Sequence, residues 1–413
     1  MTAATLLLIL GILALVGVVN ALRPVRNLAF ALPSWVAAWM TVELAPFLVA
    51  FDVVAAAVLV ALGALDRPTG WIGLGGVAVA VAVAIPRMLV ARRTVVDLGS
   101  VIEELDPGEP ESPYPRLEIA MPFLVRRRAG VRRVGGIRYS GRQKLDVFMP
   151  AEPAEGPRPA IVQVHGGAWV IGSRHEQGIP LLSHLAANGW VGFNVDYRLS
   201  PRATWPAQIV DVKRAIGYVR EHADEWDVDP SFVAITGGSA GGHLSALAAL
   251  TAGDPAFQPG FEEADTSVAA AVPFYGVYDF VDEDGVHLRA VHQVLEHAVF
   301  KARRRHDPEP FRAASPLHRV HADAPPMFVI AGEKDTLISV EEPRRFVDRL
   351  REVSRQPVLY AEMKGAQHAF DLVASWRSVP VMEAVERFLA TIRRRRSEAT
   401  PEVERELGAA IGE

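Results

Sequence analysis

Apolar residues follow two regimes along this chain. Up to about residue 96 they form long unbroken runs: Ala3 to Leu22, Leu44 to Leu65 with the single charge Asp52, and Trp71 to Val90, which meets Pro86-Arg87 near its end. A run of about twenty such residues spans ~30 Å of hydrocarbon, so the pattern predicts three transmembrane helices. Asn27 to Val42 is also apolar and abuts Glu43 with no turn between them, as expected of an interfacial or buried lead-in to the second span. The first run also fits a cleaved signal peptide ending near Val19-Asn20-Ala21, but no Lys or Arg precedes its apolar core. Asp52 receives no functional role.

From about Arg133 the runs shorten and alternate with amphipathic segments. Gly136–Tyr139 and Leu145–Met149 predict an entry hairpin. Strands are predicted at Ala160–Val164, Val191–Val195, Phe232–Thr236, Val268–Phe274, Met327–Ala331 and Val358–Met363. Between them lie helical patterns at Gln177–Asn188, Pro206–His222, Ala240–Thr251, Val340–Val353 and Val379–Arg394. This alternation specifies an α/β fold, a mostly parallel sheet with helices on both faces. Active residues then belong beyond the carboxyl ends of the strands. The connection from Val281 to Val320 is longer than a crossover needs; it and the region around Met121 are candidates for a lid.

The organisation expected is therefore a transmembrane region at 1–96, a linker and juxtamembrane segment at 97–132, a catalytic domain at 133–396 and a fraying tail at 397–413. The linker assignment rests on Pro107, Pro110, Pro113 and Pro115 set among Glu103, Glu104, Asp106, Glu109 and Glu111. The basic stretch Arg126–Arg133 suits either anionic lipid headgroups or a solvated face. The first region is expected to hold the protein in the bilayer and to take no part in chemistry.

Charge sets the orientation and narrows the partners. With 43 basic and 48 acidic residues the chain is mildly acidic, which gives no reason to expect nucleic acid as a partner. Arg23 and Arg26 follow the first run, and Arg92 and Arg93 follow the third. The positive-inside rule puts both pairs, and the catalytic domain, in the cytoplasm of a multi-pass cell-membrane protein. The sequence contains no cysteine, which excludes a thiol nucleophile, a disulfide framework and a cysteine metal site.

The chemistry begins at Gly237-Gly238-Ser239-Ala240-Gly241, a G-x-S-x-G between the strand Phe232–Thr236 and a helical run from Gly242. Such a turn pushes the serine out of the sheet plane, and glycines relieve the strained backbone around it. Upstream, the strand at Ala160–Val164 runs into His165-Gly166-Gly167-Ala168-Trp169. Downstream, strands end at Gly332-Glu333-Lys334-Asp335 and before Gly365-Ala366-Gln367-His368. The order is oxyanion loop, serine, acid, histidine.

On these motifs, together with Asp196-Tyr197-Arg198-Leu199-Ser200-Pro201, the region from about Arg133 to Arg394 resembles the α/β-hydrolase superfamily. Within it, the likeness is to esterases related to hormone-sensitive lipase and to bacterial acetyl esterases and carboxylesterases. Two positions depart from that pattern: Ala168 where many members have a third glycine, and Gly238 where many have an acidic residue. Ala168 with Trp169 resembles the isoprenylcysteine methylesterase and arylformamidase branches.

The resemblance implies hydrolysis of a small-molecule or lipid carboxylic ester through an acyl-enzyme. Ser239 is the nucleophile, His368 the base and Asp335 its orienter, with the N–H groups of Gly166, Gly167 and Ala240 as the oxyanion hole. Asp371 and Glu333 compete with Asp335, whose alternative role is that of a helix N-cap for Val340 onward. His165, His243, His292, His297 and His306 compete with His368. His165 is expected to brace its loop, and Asp196 to pair with Arg198. No cofactor is expected, and the histidines from His287 to His306 lack the spacing of a metal motif. Hydrolysis of an amide-like bond, and a silent hydrolase-fold scaffold, are the alternative functions.

Overall fold

The computed structural model describes residues 1–26, 30–103, 114–120, 128–153 and 155–411. Four helices form an N-terminal unit: α1 (Ala3–Leu22), α2 (Ala31–Glu43), α3 (Ala45–Ala61) and α4 (Pro68–Glu103). Leu7 and Gly11 of α1 meet α4 at Gly73 and Gly76, and Val18 lies with Ala80 and Ala84, so the two helices run parallel. α3 runs against both, with Val49 beside Val18 and Ala84, and Ala56 and Leu59 beside Leu7. A Cβ on Gly73 would stand 2.4 Å from the Leu7 carbonyl oxygen, and one on Gly11 2.3 Å from that of Gly73. Small residues thus let the two backbones touch, the usual device for packing apolar helices.

By length and composition, α1 and Pro68–Met88 are apolar enough to cross a membrane, and the pair α2–α3, bent by 85° at its break, would count as a third crossing. The apolar stretch before Glu43 is therefore a helix of its own. α4 passes through Pro86 and ends at Glu103, so residues expected to open the linker at 97 are helical. Leu98, Val101 and Ile102 sustain the helical spacing there. Pro107, Pro110 and Pro113, their acidic neighbours from Glu104 to Glu111, Met121, Arg126 and Arg127 lie outside the described residues. The described members of the basic stretch turn to protein partners. Arg128 lies over the Tyr114 ring and 3.2 Å from His184 Nδ1, Arg132 reaches Met149 Sδ, and Arg133 pairs with Asp146.

After the short helix α5 (Arg116–Ala120) comes an eight-stranded sheet: β1 (Val131–Ser140), β2 (Gln143–Pro150), β3 (Arg158–Val164), β4 (Val191–Val195), β5 (Val228–Gly238), β6 (Ala271–Phe274), β7 (Met327–Gly332) and β8 (Val358–Met363). Their spatial order is β1-β2-β4-β3-β5-β6-β7-β8. β1 and β2 are antiparallel to their neighbours, and every pairing from β4 to β8 is parallel. α6 (Ile179–Ala187) and α12 (Ser378–Ile411) cover one face; α7 (Ala207–Glu221), α8 (Ala240–Leu250) and α11 (Glu341–Val353) cover the other. Alternate residues of β3 accordingly enter different cores, Ile161 in one and Val162 with Val164 in the other. The tail expected to fray from Ser397 continues α12 as helix to Ile411.

The long connection after β6 folds back onto the domain. α9 (Arg289–Val294), a π-helical turn at Leu295–Val299 and α10 (Glu309–Ala313) anchor it through buried Leu295, Val299 and Phe311. Trp205 donates its backbone N–H to the Val299 carbonyl and packs its ring against Phe300. These residues join the core cluster that α8 also enters.

Candidate active site

β5 carries its chain into the middle of the sheet, paired with β3 through Val164–Gly237 and with β6 through Gly238–Phe274. The next residue, Ser239, has φ 59° and ψ −120° and caps α8. This is a conformation that L-residues rarely adopt, and it persists only where the surroundings enforce it. Here the Ser239 N–H is tied to the Phe274 carbonyl and its carbonyl to His243 N. A Cβ at Gly242 would lie 2.4 Å from the Phe274 oxygen, so only glycine admits this helix–strand approach. Gly238 has an equally local reason. A Cβ there would fall 2.6 Å from Tyr275 Oη, which leaves no space for the acidic side chain that many relatives of the motif carry.

The acid and the histidine come from the next two parallel strands. His368 Nδ1 lies 2.6 Å from Asp335 Oδ2, and both side chains are buried. Asp335 Oδ1 accepts from the backbone N–H groups of Leu337 and Ile338, both at 2.8 Å. Asp335 thus closes the turn after β7 with one oxygen and meets histidine with the other; it does not cap the helix that starts at Glu341, whose N-cap is Val340. Tyr275 lays its ring 4.7 Å from the His368 ring and donates its hydroxyl to Asp371 Oδ1. Burial pushes the Asp371 carboxyl above the usual carboxylate range, and the Tyr275 hydrogen bond opposes that rise. Glu333 accepts instead from Gly365 N. Both rival acids are thus engaged elsewhere. The Ser239 hydroxyl, half-buried, makes no hydrogen bond among the described residues; such bonds commonly tighten only with substrate bound.

The rival histidines are accounted for by their surroundings. His243 is fully buried, accepts from Trp169 Nε1 and faces the Ala314 carbonyl; burial holds its pKa down to about 3, so it stays neutral. His165 stacks on Tyr197 with ring centroids 4.3 Å apart, and its carbonyl accepts from Tyr197 Oη, which braces the loop as expected. His297 and His306 are exposed. His287 and His292 converge on Asp282 with donor atoms within 4.8 Å, a proximity their spacing did not announce. His292 already meets Asp282 at 2.8 Å, His287 meets Glu342 at 2.7 Å, and the Arg304 guanidinium stands 4.0 Å from Asp282.

The loop after β3 is strained over three consecutive residues, with φ of 118° at Gly167, 51° at Ala168 and 62° at Trp169. Buried Trp169, packed edge-on against His243 and Phe280, anchors it from below. The N–H groups of Gly167 and Ala240 have no hydrogen-bond partner among the described residues. Gly166 corrects the expectation: its N–H donates to Gln177 Oε1 at 2.7 Å, so Gln177 consumes one of the three expected oxyanion donors. Nothing local to Gly166 signals this, because Gln177 arrives from eleven residues downstream. Asp196 and Arg198 also depart from expectation. Asp196 binds Arg174, whereas Arg198 grips both oxygens of Asp211 on α7, a bidentate geometry with both contacts at 2.8 Å. Asp196 still supports the oxyanion loop, through Arg174 at its far end.

A Cβ at Gly167 would lie 2.1 Å from the Ile171 oxygen. Gly167→Ala is therefore expected to displace the loop and lower kcat on esters by about 10²–10³-fold, the usual loss for one oxyanion donor. Thermal melting beside ester turnover checks this, with the melting point lowered by the strained loop but the variant still folded at the assay temperature.

With the geometry in hand, the likenesses are informative. The BD-FAE family model matches residues 145–350. The fold is that of an α/β-hydrolase, and the hydrolase region is similar to esterases of that superfamily. The probable carboxylic ester hydrolase LipM of Mycobacterium tuberculosis is 51% identical over 256 residues, covering 62% of this chain and 59% of LipM. Esterase LipQ of the same organism is 49% identical, covering 62% of this chain and 61% of LipQ. The match thus spans about three fifths of each curated relative's length. Among solved structures, a truncated carbohydrate esterase from gut microbiota superposes with a TM-score of 0.55 at 25% identity, over 63% of this chain and 96% of that one.

Proposed function

We propose that this protein is a membrane-attached serine hydrolase that cleaves a carboxylic ester. The observation that carries this reading is the buried 2.6 Å contact between His368 and Asp335 beyond the ends of β7 and β8, with Tyr275 lying against both the His368 ring and Gly238, the residue before an elbow serine at φ 59°. The ester specificity rests on the relatives' names, carboxylic ester hydrolase and esterase.

In this mechanism Ser239 Oγ attacks the acyl carbon while His368 Nε2 takes its proton. Asp335 holds the other ring nitrogen in its protonated tautomer and stabilises the imidazolium. The N–H groups of Gly167 and Ala240 receive the developing oxyanion. Collapse of the tetrahedral intermediate expels the alcohol, which leaves with the proton from His368. Water then repeats the sequence on the acyl-Ser239, releasing the acid and restoring the serine. Hydrolysis of a p-nitrophenyl ester series of rising chain length by the full chain tests the activity, with Ser239→Ala as its control.

The attachment reading takes α1, α3 and α4 as crossings. The parallel course of α1 and α4 supports it, since the end of α1 near Arg23 and Arg26 and the end of α4 then lie on one side. By the positive-inside rule that side is cytoplasmic, as is the hydrolase domain. Its substrate would be a cytoplasmic or inner-leaflet ester. A C-terminal alkaline phosphatase fusion is expected to be inactive and a C-terminal fluorescent protein bright. An active phosphatase fusion would reverse the orientation.

A further inference from the structure

We propose that helix α2 of the N-terminal unit is a positioning element of the hydrolase site, holding the loop that carries His368 through Trp35, Trp39 and Glu43. The inference rests on the reading of Ser239 and His368 given above. It departs from the expectation that the N-terminal region takes no part in chemistry.

Residues 35, 39 and 43 are four apart and so form one stripe along the helix. Trp35 Nε1 donates to the carbonyl oxygen of His368, and Trp39 Nε1 to that of Ala369, both at 2.8 Å. Glu43 reaches the far end of the same loop, where Ser375 Oγ donates to its Oε2 at 3.1 Å. Its Oε1 stands 3.0 Å from Arg377 Nε, an ion pair too oblique to count as a hydrogen bond, with both side chains almost wholly buried. Arg377 in turn donates to the Lys364 carbonyl and so ties the loop's two ends together.

The loop needs such holding. Ala369 sits at φ 60°, a left-handed conformation for a residue with a Cβ, directly after the catalytic histidine. Strained backbone of this kind persists only where neighbours over-determine it. The side chain of His368 is fixed by Asp335 and Tyr275, but its peptide and the next one are held by two indole N–H groups from more than 300 positions away in the chain. Each indole satisfies a carbonyl that would otherwise lack this partner.

α2 is itself fastened on its other side. Asn20 of α1 donates to the Ser34 carbonyl and accepts from the Ser34 hydroxyl, both at 2.7 Å. The seating of the apolar helices and the position of the catalytic histidine are thus mechanically continuous: α1 holds α2, and α2 holds the His368 peptide. The chemistry requires accuracy here, since misplacing a catalytic group by about 1 Å costs on the order of 10²-fold in rate.

The test uses the full chain in detergent or bilayer discs. The double variant Trp35→Phe with Trp39→Phe keeps the aromatic bulk and removes both N–H donors. Its kcat on p-nitrophenyl butyrate is expected to fall by about tenfold or more, with KM changed far less. Fluorophosphonate labelling of Ser239 should slow in parallel, and the acid limb of the kcat/KM profile should shift. Leu32→Ala, on an exposed position of the same helix, should leave kcat unchanged. A folded double variant with wild-type kcat, labelling rate and pH profile overturns the proposal. If the double variant does not fold, the single variants are read instead, and unchanged kcat in both overturns it equally. Failure of the underlying reading is distinct: the wild type itself would then not label, or would label equally after Ser239→Ala.

Discussion

Ser239→Ala is expected to lower ester turnover by about 10⁴–10⁶-fold and to abolish fluorophosphonate labelling, with the melting temperature nearly unchanged. The next serine in the chain offers no substitute for the Ser239 oxygen, because Ser245 is buried and bonded to the Gly242 carbonyl. The fold should tolerate the change, since the Ser239 side chain makes no hydrogen bond among the described residues and alanine preserves the Cβ against which Gly166 packs. The residual rate would come from the oxyanion donors and binding alone. Labelling that persists in the variant would transfer the nucleophile's role to another serine.

Asp335→Asn is expected to reduce kcat by about 10⁴-fold while leaving substrate binding largely intact. The two oxygens of Asp335 have separate duties, which makes the outcome specific. Oδ1 accepts two backbone N–H groups, so an asparagine will keep its carbonyl there and turn its NH₂ toward His368. An amide donor facing Nδ1 selects the imidazole tautomer protonated at Nε2, which cannot take the serine proton. Steady-state kinetics and the imidazole proton spectrum check this. An Asp335→Asn enzyme with near-normal kcat would point to Asp371 or Glu333 as the acid. Asp371→Ala, by contrast, removes a partner of Tyr275 and should act more through stability than through tautomer.

These expectations were written in the chain to different degrees. The elbow was legible because its causes are local: a β-branched strand, glycines around the serine and a helix-forming run after it. The sheet was legible for the same reason, since strand and helix periods differ and their alternation restricts topology. The antiparallel hairpin proved longer at both ends than its apolar residues suggested, because β1 pairs β2 from Val131 onward through charged positions such as Arg132 and Arg133. Backbone pairing does not require apolar side chains on an exposed face.

What the sequence by itself determined was the order of the segments that carry the site, the position of the strained serine and the places of the apolar runs. Each follows from composition and period within a dozen residues. Only the tertiary structure decided which of Asp335, Asp371 and Glu333 meets His368, because all three lie in loops at the strand ends and differ only in direction. It also decided that Gln177 takes the Gly166 N–H, that Arg198 grips Asp211 rather than Asp196, and that Trp35 and Trp39 reach the histidine loop. These contacts join groups far apart in the chain or depend on a few ångströms of side-chain reach. They are set by the angles at which packed elements meet, and no local pattern encodes those angles.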